Sequence, residues 1–171
     1  MKSNLRRRCE CLALLFFLFV GGVSFMMPVR ASARMPLARI AGKNIVQLEV
    51  AATESEIKRG LMYRTFMPED SGMVFIFSPP QSVKFWMYHT LISLDMCFIH
   101  DGKIVKICQE VPPCRSEDPN DCPTYPEGQG PVVSYVLELN AGYVKRHGIK
   151  EGDKIVFELP DKTDGESTKS K

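Results

Sequence analysis

The chain reads as a mainly β protein: a compact single-domain β-sandwich or partly open barrel with two short helices. Three observations predict this. Short apolar or alternating stretches bounded by Gly, Pro, Asn and Asp recur from Ile45 to Leu159, the pattern of strands divided by turns. Asp101-Gly102 sits between two such stretches as a two-residue hairpin link. Only two segments carry helix start and stop residues, and both are short. Strands that outnumber helices, with hairpins joining neighbours, give a β core with helices at its ends.

An address precedes that core. Lys2, Arg6, Arg7 and Arg8 make a positive start, Leu12–Val20 is unbroken apolar sequence, and Ala31-Ser32-Ala33 offers a small-residue cleavage site. Residues 1–33 therefore read as a secretory signal peptide, with retention as a membrane anchor the alternative. An anchor needs about 20 predominantly apolar residues, and the longer stretch Leu12–Met27 is shorter than that and carries Gly21, Gly22 and Ser24. Residues 34–160 form one domain, and the polar stretch 161–171 reads as a solvated tail. The chain's 22 basic and 20 acidic groups fall to 17 and 19 once Lys2, Arg6, Arg7, Arg8, Arg30 and Glu10 of the leader are set aside. The basicity thus belongs to the leader, and the mature part carries no basic stripe of the kind a nucleic-acid partner requires.

Taken in order, Ile45–Ala51 alternates, with Val46, Leu48 and Val50 on one face, and predicts a half-buried strand. Thr53 and Glu56 form a capping box for a short helix that runs to Arg59 and stops at Gly60. Gly72–Phe77 is apolar throughout and predicts a buried strand ended by Pro79-Pro80. Leu94–Ile99 and Lys103–Cys108 flank the hairpin link. With that link, His100 faces Lys103, Ile99 faces Ile104, Cys97 faces Lys106 and Asp95 faces Cys108. Val132–Leu139 is a further strand. Asn140 is expected to cap a helix over Ala141–His147, stopped by Gly148, with Lys145, Arg146 and His147 at the end where the dipole favours cations. Lys154–Leu159 is the last strand.

Cys97, Cys108, Cys114 and Cys122 follow the leader. An even count in an exported chain points to disulfides. Cys114 and Cys122 bracket a Pro- and Asp-rich loop and are the favoured pair. Cys97 and Cys108 are expected to be buried thiols, with a strained diagonal bridge as the alternative.

Phe85–Asp95 is the stretch least explained by packing alone. It contains the only Trp, a His, hydroxyl groups and an Asp, without strand or helix periodicity. Trp86 with Tyr88 can form a stacking platform for a ligand, although a lone Trp in a small β domain is usually a core anchor. His89 with Asp95 is the best acid/base pair, against the plainer reading in which Asp95 caps backbone N–H groups of its own turn and His89 is exposed. Arg64 can pair with Glu69 or Asp95, or clamp an anionic ligand. Arg64, Trp86, His89, Thr90 and Asp95 are therefore the candidate binding residues, with Arg64, Trp86, Thr90 and Asp95 expected together at one end of the core. The sequence contains no nucleophile elbow, HExxH, P-loop or dinucleotide fingerprint. No metal site and no cofactor are expected.

Several motifs together resemble the domain-of-unknown-function 192 family. They are Gly60-Leu61-Met62-Tyr63-Arg64 and Gly72–Phe77 within Ala51–Phe77, then Phe85-Trp86-Met87, Thr90-Leu91, Leu94-Asp95 and Phe98-Ile99. Cys114, Cys122-Pro123-Thr124-Tyr125, Tyr135–Leu139, Gly148-Ile149 and Gly152-Asp153 continue the match. The resemblance implies a compact mainly β fold and an exported bacterial or archaeal protein. It supplies no reaction. Tyr88-His89 stands where the family usually has Lys-Asn, which weakens any chemistry built on His89. Ser93 stands where the family usually has Pro. Cys97 and Cys108 occupy commonly aliphatic positions, in keeping with buried thiols.

The expected function is a periplasmic or secreted module that binds a small ligand, such as a carbohydrate or an anion, or an envelope partner. One alternative is a hydrolase using Asp95 with His89 or Arg64. The other is an envelope protein whose motifs only hold the fold. A membrane is expected as a partner only if the leader stays uncleaved.

Overall fold

The computed structural model describes residues 35–159. The expected leader (1–33) and the expected tail (161–171) lie outside the described residues. The elements in order are β1 (Leu37–Ile40), β2 (Asn44–Ala51), α1 (Glu54–Arg59), β3 (Ser71–Ser82), β4 (Phe85–Trp86) and β5 (Leu94–His100). They continue with β6 (Lys103–Val111), a 3₁₀ turn (Pro119–Asp121), β7 (Thr124–Tyr125), β8 (Val132–Asn140), α2 (Tyr143–His147) and β9 (Ile155–Glu158).

Seven strands form one sheet in the order β6-β5-β8-β3-β2-β1-β9, and β4 pairs with β7 in a second, two-stranded sheet. The large sheet curls until its ends meet. Ile104 N–H donates to Asp153 O at 3.0 Å, and Ile155 N–H donates to Gly102 O at 2.9 Å. The architecture is thus the partly open barrel rather than the sandwich, because the β6 and β9 edges satisfy one another at one end.

Two apolar clusters lie on the two faces of the sheet. One gathers Ile40, Val74, Cys97, Ile99, Leu137 and Leu139 beneath Tyr143 and Val144 of α2. The other gathers Leu61, Met73, Phe75, Met96, Phe98 and Val136 beneath the segment after α1 and the small sheet. The central strands β3, β5 and β8 are buried on both faces, which is why they read as near-continuous apolar runs.

Several local expectations hold. Thr53 and Glu56 form the reciprocal capping box of α1, and Gly148 stops α2 with φ 62°. Cys114 and Cys122 are joined, with Cα atoms 5.7 Å apart, and Cys97 is a buried free thiol, whereas Cys108 is free but only half-buried, short of the burial expected of it.

Others are corrected. Hairpins do not join all neighbours: β2 and β3 run parallel, so α1 is a crossover. Pro79-Pro80 does not end β3. The strand continues to Ser82 through a break in register between Ile76 and Gln81, where the lost ladder bonds make room for the prolines.

The hairpin begins as expected, with His100 opposite Lys103 and Ile99 opposite Ile104, and then slips. Irregularities after Ile99 and between Met96 and Leu94 put Cys97 opposite Ile107 and Met96 opposite Cys108. Asp95 therefore does not face Cys108, nor Cys97 Lys106. Cys97 and Cys108 end on opposite faces, which rules out a diagonal bridge. Asn140 does not cap α2, whose N-cap is Gly142. The Asn140 amide instead donates to Met67 O and Pro68 O at 3.1 and 2.8 Å, tying β8 to the β3 approach.

Candidate functional site

A pocket of about 380 Å³ opens between α1 and the small sheet. α1 supplies Ile57 on one side, and Gly60 follows it at φ 43°. A Cβ at Gly60 would stand 3.2 Å from the Phe75 ring, so only glycine fits both that backbone and that contact. Val83, Phe85, Trp86 and Thr90 form the opposite wall. Phe85 is fixed edge-on to Phe75, Phe77 and Phe98. Such edge-to-face pairs hold a wall in one geometry.

At depth the pocket reaches Leu61, Phe75, Phe77 and Glu138. Glu138 lies on β8, opposite Met73 of β3 and Met96 of β5. Alternation sends Leu137 and Leu139 to the α2 side of the sheet and Glu138, with Val136, to the pocket side. Glu138 is 4% exposed. Among the described residues no cation pairs with its carboxyl and no donor bonds to it. Burial pushes this carboxyl up to about 8, so it is largely protonated at neutral pH. Lys58, Arg59 and Lys84 stand exposed at the mouth.

The five sequence candidates fall in different places. Trp86, 37% exposed, and Thr90, 6% exposed, line the pocket. His89, at φ 55°, is held beside that wall: its ring centroid lies 3.8 Å from Tyr88 and 4.8 Å from Tyr63, and its carbonyl accepts from Tyr63 N–H at 2.7 Å. Arg64 meets neither Glu69 nor Asp95. Its guanidinium forks onto both oxygens of Glu49, a hydrogen-bonded pairing that lowers the Glu49 carboxyl and raises the Arg64 guanidinium. Asp95 is fully buried, and its two oxygens accept from Glu110 N–H at 2.7 Å and Val144 N–H at 2.8 Å. Arg64 and Asp95 are not among the residues that line the pocket with Trp86 and Thr90.

The disulfide buttresses the Trp86 wall. Cys114 N–H donates to Met87 O at 3.1 Å, and beyond Cys122 the strand β7 pairs with β4, Thr124 opposite Trp86.

Comparison with known proteins decides the family. The model of the domain-of-unknown-function 192 family, described as an uncharacterized ACR, matches residues 37–157. The chain belongs to that family. A crystal structure from Sinorhizobium meliloti 1021, of a protein provisionally named a transcription regulator, is 37% identical with a TM-score of 0.62. The match covers 74% of this chain and 95% of that one. A protein of unknown function from Novosphingobium aromaticivorans DSM 12444 is 33% identical with a TM-score of 0.62, over 76% of this chain and 89% of that one. No curated protein matches the chain. Family membership thus fixes the fold and leaves the activity to the site.

Sequence reasoning missed Glu138, although a signal was present. In Val136-Leu137-Glu138-Leu139 the acid is set among apolar residues of a strand whose two faces are both apolar. A carboxylate there has no solvent face to turn to.

Proposed function

We propose that this protein is an exported small-ligand binding module whose ligand sits in the pocket over Glu138. One observation carries the proposal: an acid buried at the centre of the sheet has no partner of its own and opens on an aromatic-walled cavity. The sealed, unpartnered side-chain atoms among the described residues are Asn44 Nδ2 and His100 Nδ1, so the Glu138 oxygens keep an open path to the cavity, where a ligand can meet them. The cavity volume lies in the range typical of small-molecule sites.

Trp86 and Thr90 touch the ligand in this proposal. His89 and Arg64 hold the neighbouring segments, Arg64 by tying the chain after α1 to Glu49. Asp95 is a positioning residue for the sheet, because both its oxygens are committed to backbone. Export rests on the positive start, the apolar run and Ala31-Ser32-Ala33, and the Cys114–Cys122 bridge fits an oxidising compartment.

Native mass spectrometry of protein recovered from the host's envelope fraction tests both parts. The polypeptide should begin at Arg34 and carry a small bound species that Glu138→Leu lacks. A polypeptide retaining Met1–Ala33 would overturn export. A species held equally by Glu138→Leu would overturn the pocket.

A further inference from the structure

We propose that the pocket takes a small amphipathic anion, with its negative group at the mouth against Lys58, Arg59 and Lys84 and a neutral hydrogen-bond acceptor at its inner end against Glu138. This rests on the pocket being a ligand site and names the ligand's chemical class. Lys58 and Arg59 end α1, where they also complement the helix dipole. Lys84 comes from the link between β3 and β4 and has no such duty. None of the three forms an ion pair among the described residues. Among the described residues Glu138 is the only acid lining the pocket. Three cations at one mouth attract anions and repel cations on approach.

Below the mouth the walls are Val83, Phe85, Phe75, Phe77 and Leu61, which exclude water from the ligand's body. At the inner end stands one carboxyl. The strands beside it present Met73 and Met96, which carry no charge. The charged groups that line the same pocket are Lys58 and Arg59 from α1 and Lys84, at the mouth. Burial keeps the carboxyl protonated at neutral pH, so it offers one O–H to an acceptor such as a hydroxyl, carbonyl or ether oxygen. A second anionic group there would meet a carboxyl that ionises as pH rises. An inner ammonium would pair with ionised Glu138 but has to pass three cations.

A matched series separates these cases: omega-hydroxyoctanoate, octanoate, octanediol and aminooctanol, titrated into the mature protein. Binding is read by the fluorescence of Trp86, the only tryptophan, and by calorimetry. Omega-hydroxyoctanoate should bind tightest, by about tenfold over octanoate, the value of one well-made hydrogen bond. Its affinity should fall in wild type between about pH 7 and pH 9.5 as Glu138 loses its proton. Glu138→Gln keeps a donor and should bind it without that pH dependence. Lys58→Gln combined with Lys84→Gln should bring omega-hydroxyoctanoate down to the affinity of octanediol. Aminooctanol binding tightest, or affinity rising with pH, would overturn the anion class and leave the pocket a ligand site. No member binding at millimolar concentration would overturn both.

Discussion

Asp95 and Glu138 are neighbours on adjacent strands: in the β5–β8 ladder Asp95 lies opposite Leu139, and Met96 lies opposite Glu138. Both acids are buried, at 0% and 4% exposure. They face opposite sides of the sheet and meet opposite fates. Asp95 receives two backbone N–H groups, one from the β6 irregularity at Glu110 and one from α2 at Val144. It therefore replaces ladder bonds that the bulge and the helix start leave unmade. Glu138 receives nothing and opens on the pocket. A buried acid that satisfies backbone donors holds a fold together. One that has no protein partner and faces an open cavity marks where a ligand can be read.

The largest effect should come from Asp95→Asn. The new NH₂ would face one of the two N–H donors and leave it unpaired, so the variant should lose about 3–4 kcal/mol in urea unfolding. A loss below about 1 kcal/mol would mean that the two bonds contribute little and would erase the contrast with Glu138. Next comes removal of the disulfide. Cys114→Ser with Cys122→Ser releases a loop closed over 8 residues, and should cost about 2–3 kcal/mol on the chain-entropy model. Because Cys114 and β7 hold the Trp86 wall, the emission of Trp86 should shift red in the same variant before global unfolding.

Glu138→Leu should move stability the other way, raising the melting temperature by about 3–6 °C as an uncompensated carboxyl is replaced by an apolar side chain of similar size. A lower melting temperature would make Glu138 a structural acid like Asp95. The smallest effect is expected at Arg64 and Glu49, whose side chains are 34% and 53% exposed. A double-mutant cycle should return about 0.5–1 kcal/mol, since an exposed pair gains little even when bidentate.

Much of this arrangement could be read from the residues. β2, the α1 capping box, the hairpin at Asp101-Gly102, β8 and the α2 stop at Gly148 follow from local pattern, because a local rule decides each. The parallel β2–β3 pairing did not, since a crossover of α1's length is a tertiary choice. The slip in β6 was invisible for a related reason: Glu110 takes φ 52°, and the two bonds to Asp95 and the chain ends decide where a bulge falls. The chemistry of Trp86 and Thr90 marks them in the sequence, and both line the pocket. Asp95 has the same chemistry, and it is a backbone acceptor, but for Glu110 of β6 and Val144 of α2 rather than for the N–H groups of its own turn. Glu138 carries no such mark, because a single acid in an apolar strand reads as an exposed edge until the strand is known to be central.

The claim that Glu138 is a solitary, pocket-facing acid has a direct measurement. The side-chain carboxyl ¹³C shift of Glu138 can be followed by NMR from acid to alkaline pH. Burial raises the folded value above the ordinary 4.5 to about 8, so the native state binds the proton more tightly than the unfolded chain. The stability this contributes is fully present below the unfolded value. It is lost as pH climbs through the window up to the folded value, so wild type should weaken relative to Glu138→Gln across that window. A midpoint near 8, moving on ligand binding, is the predicted result. A midpoint at or below 4.5 would mean that Glu138 is solvated or already partnered, and would contradict the account.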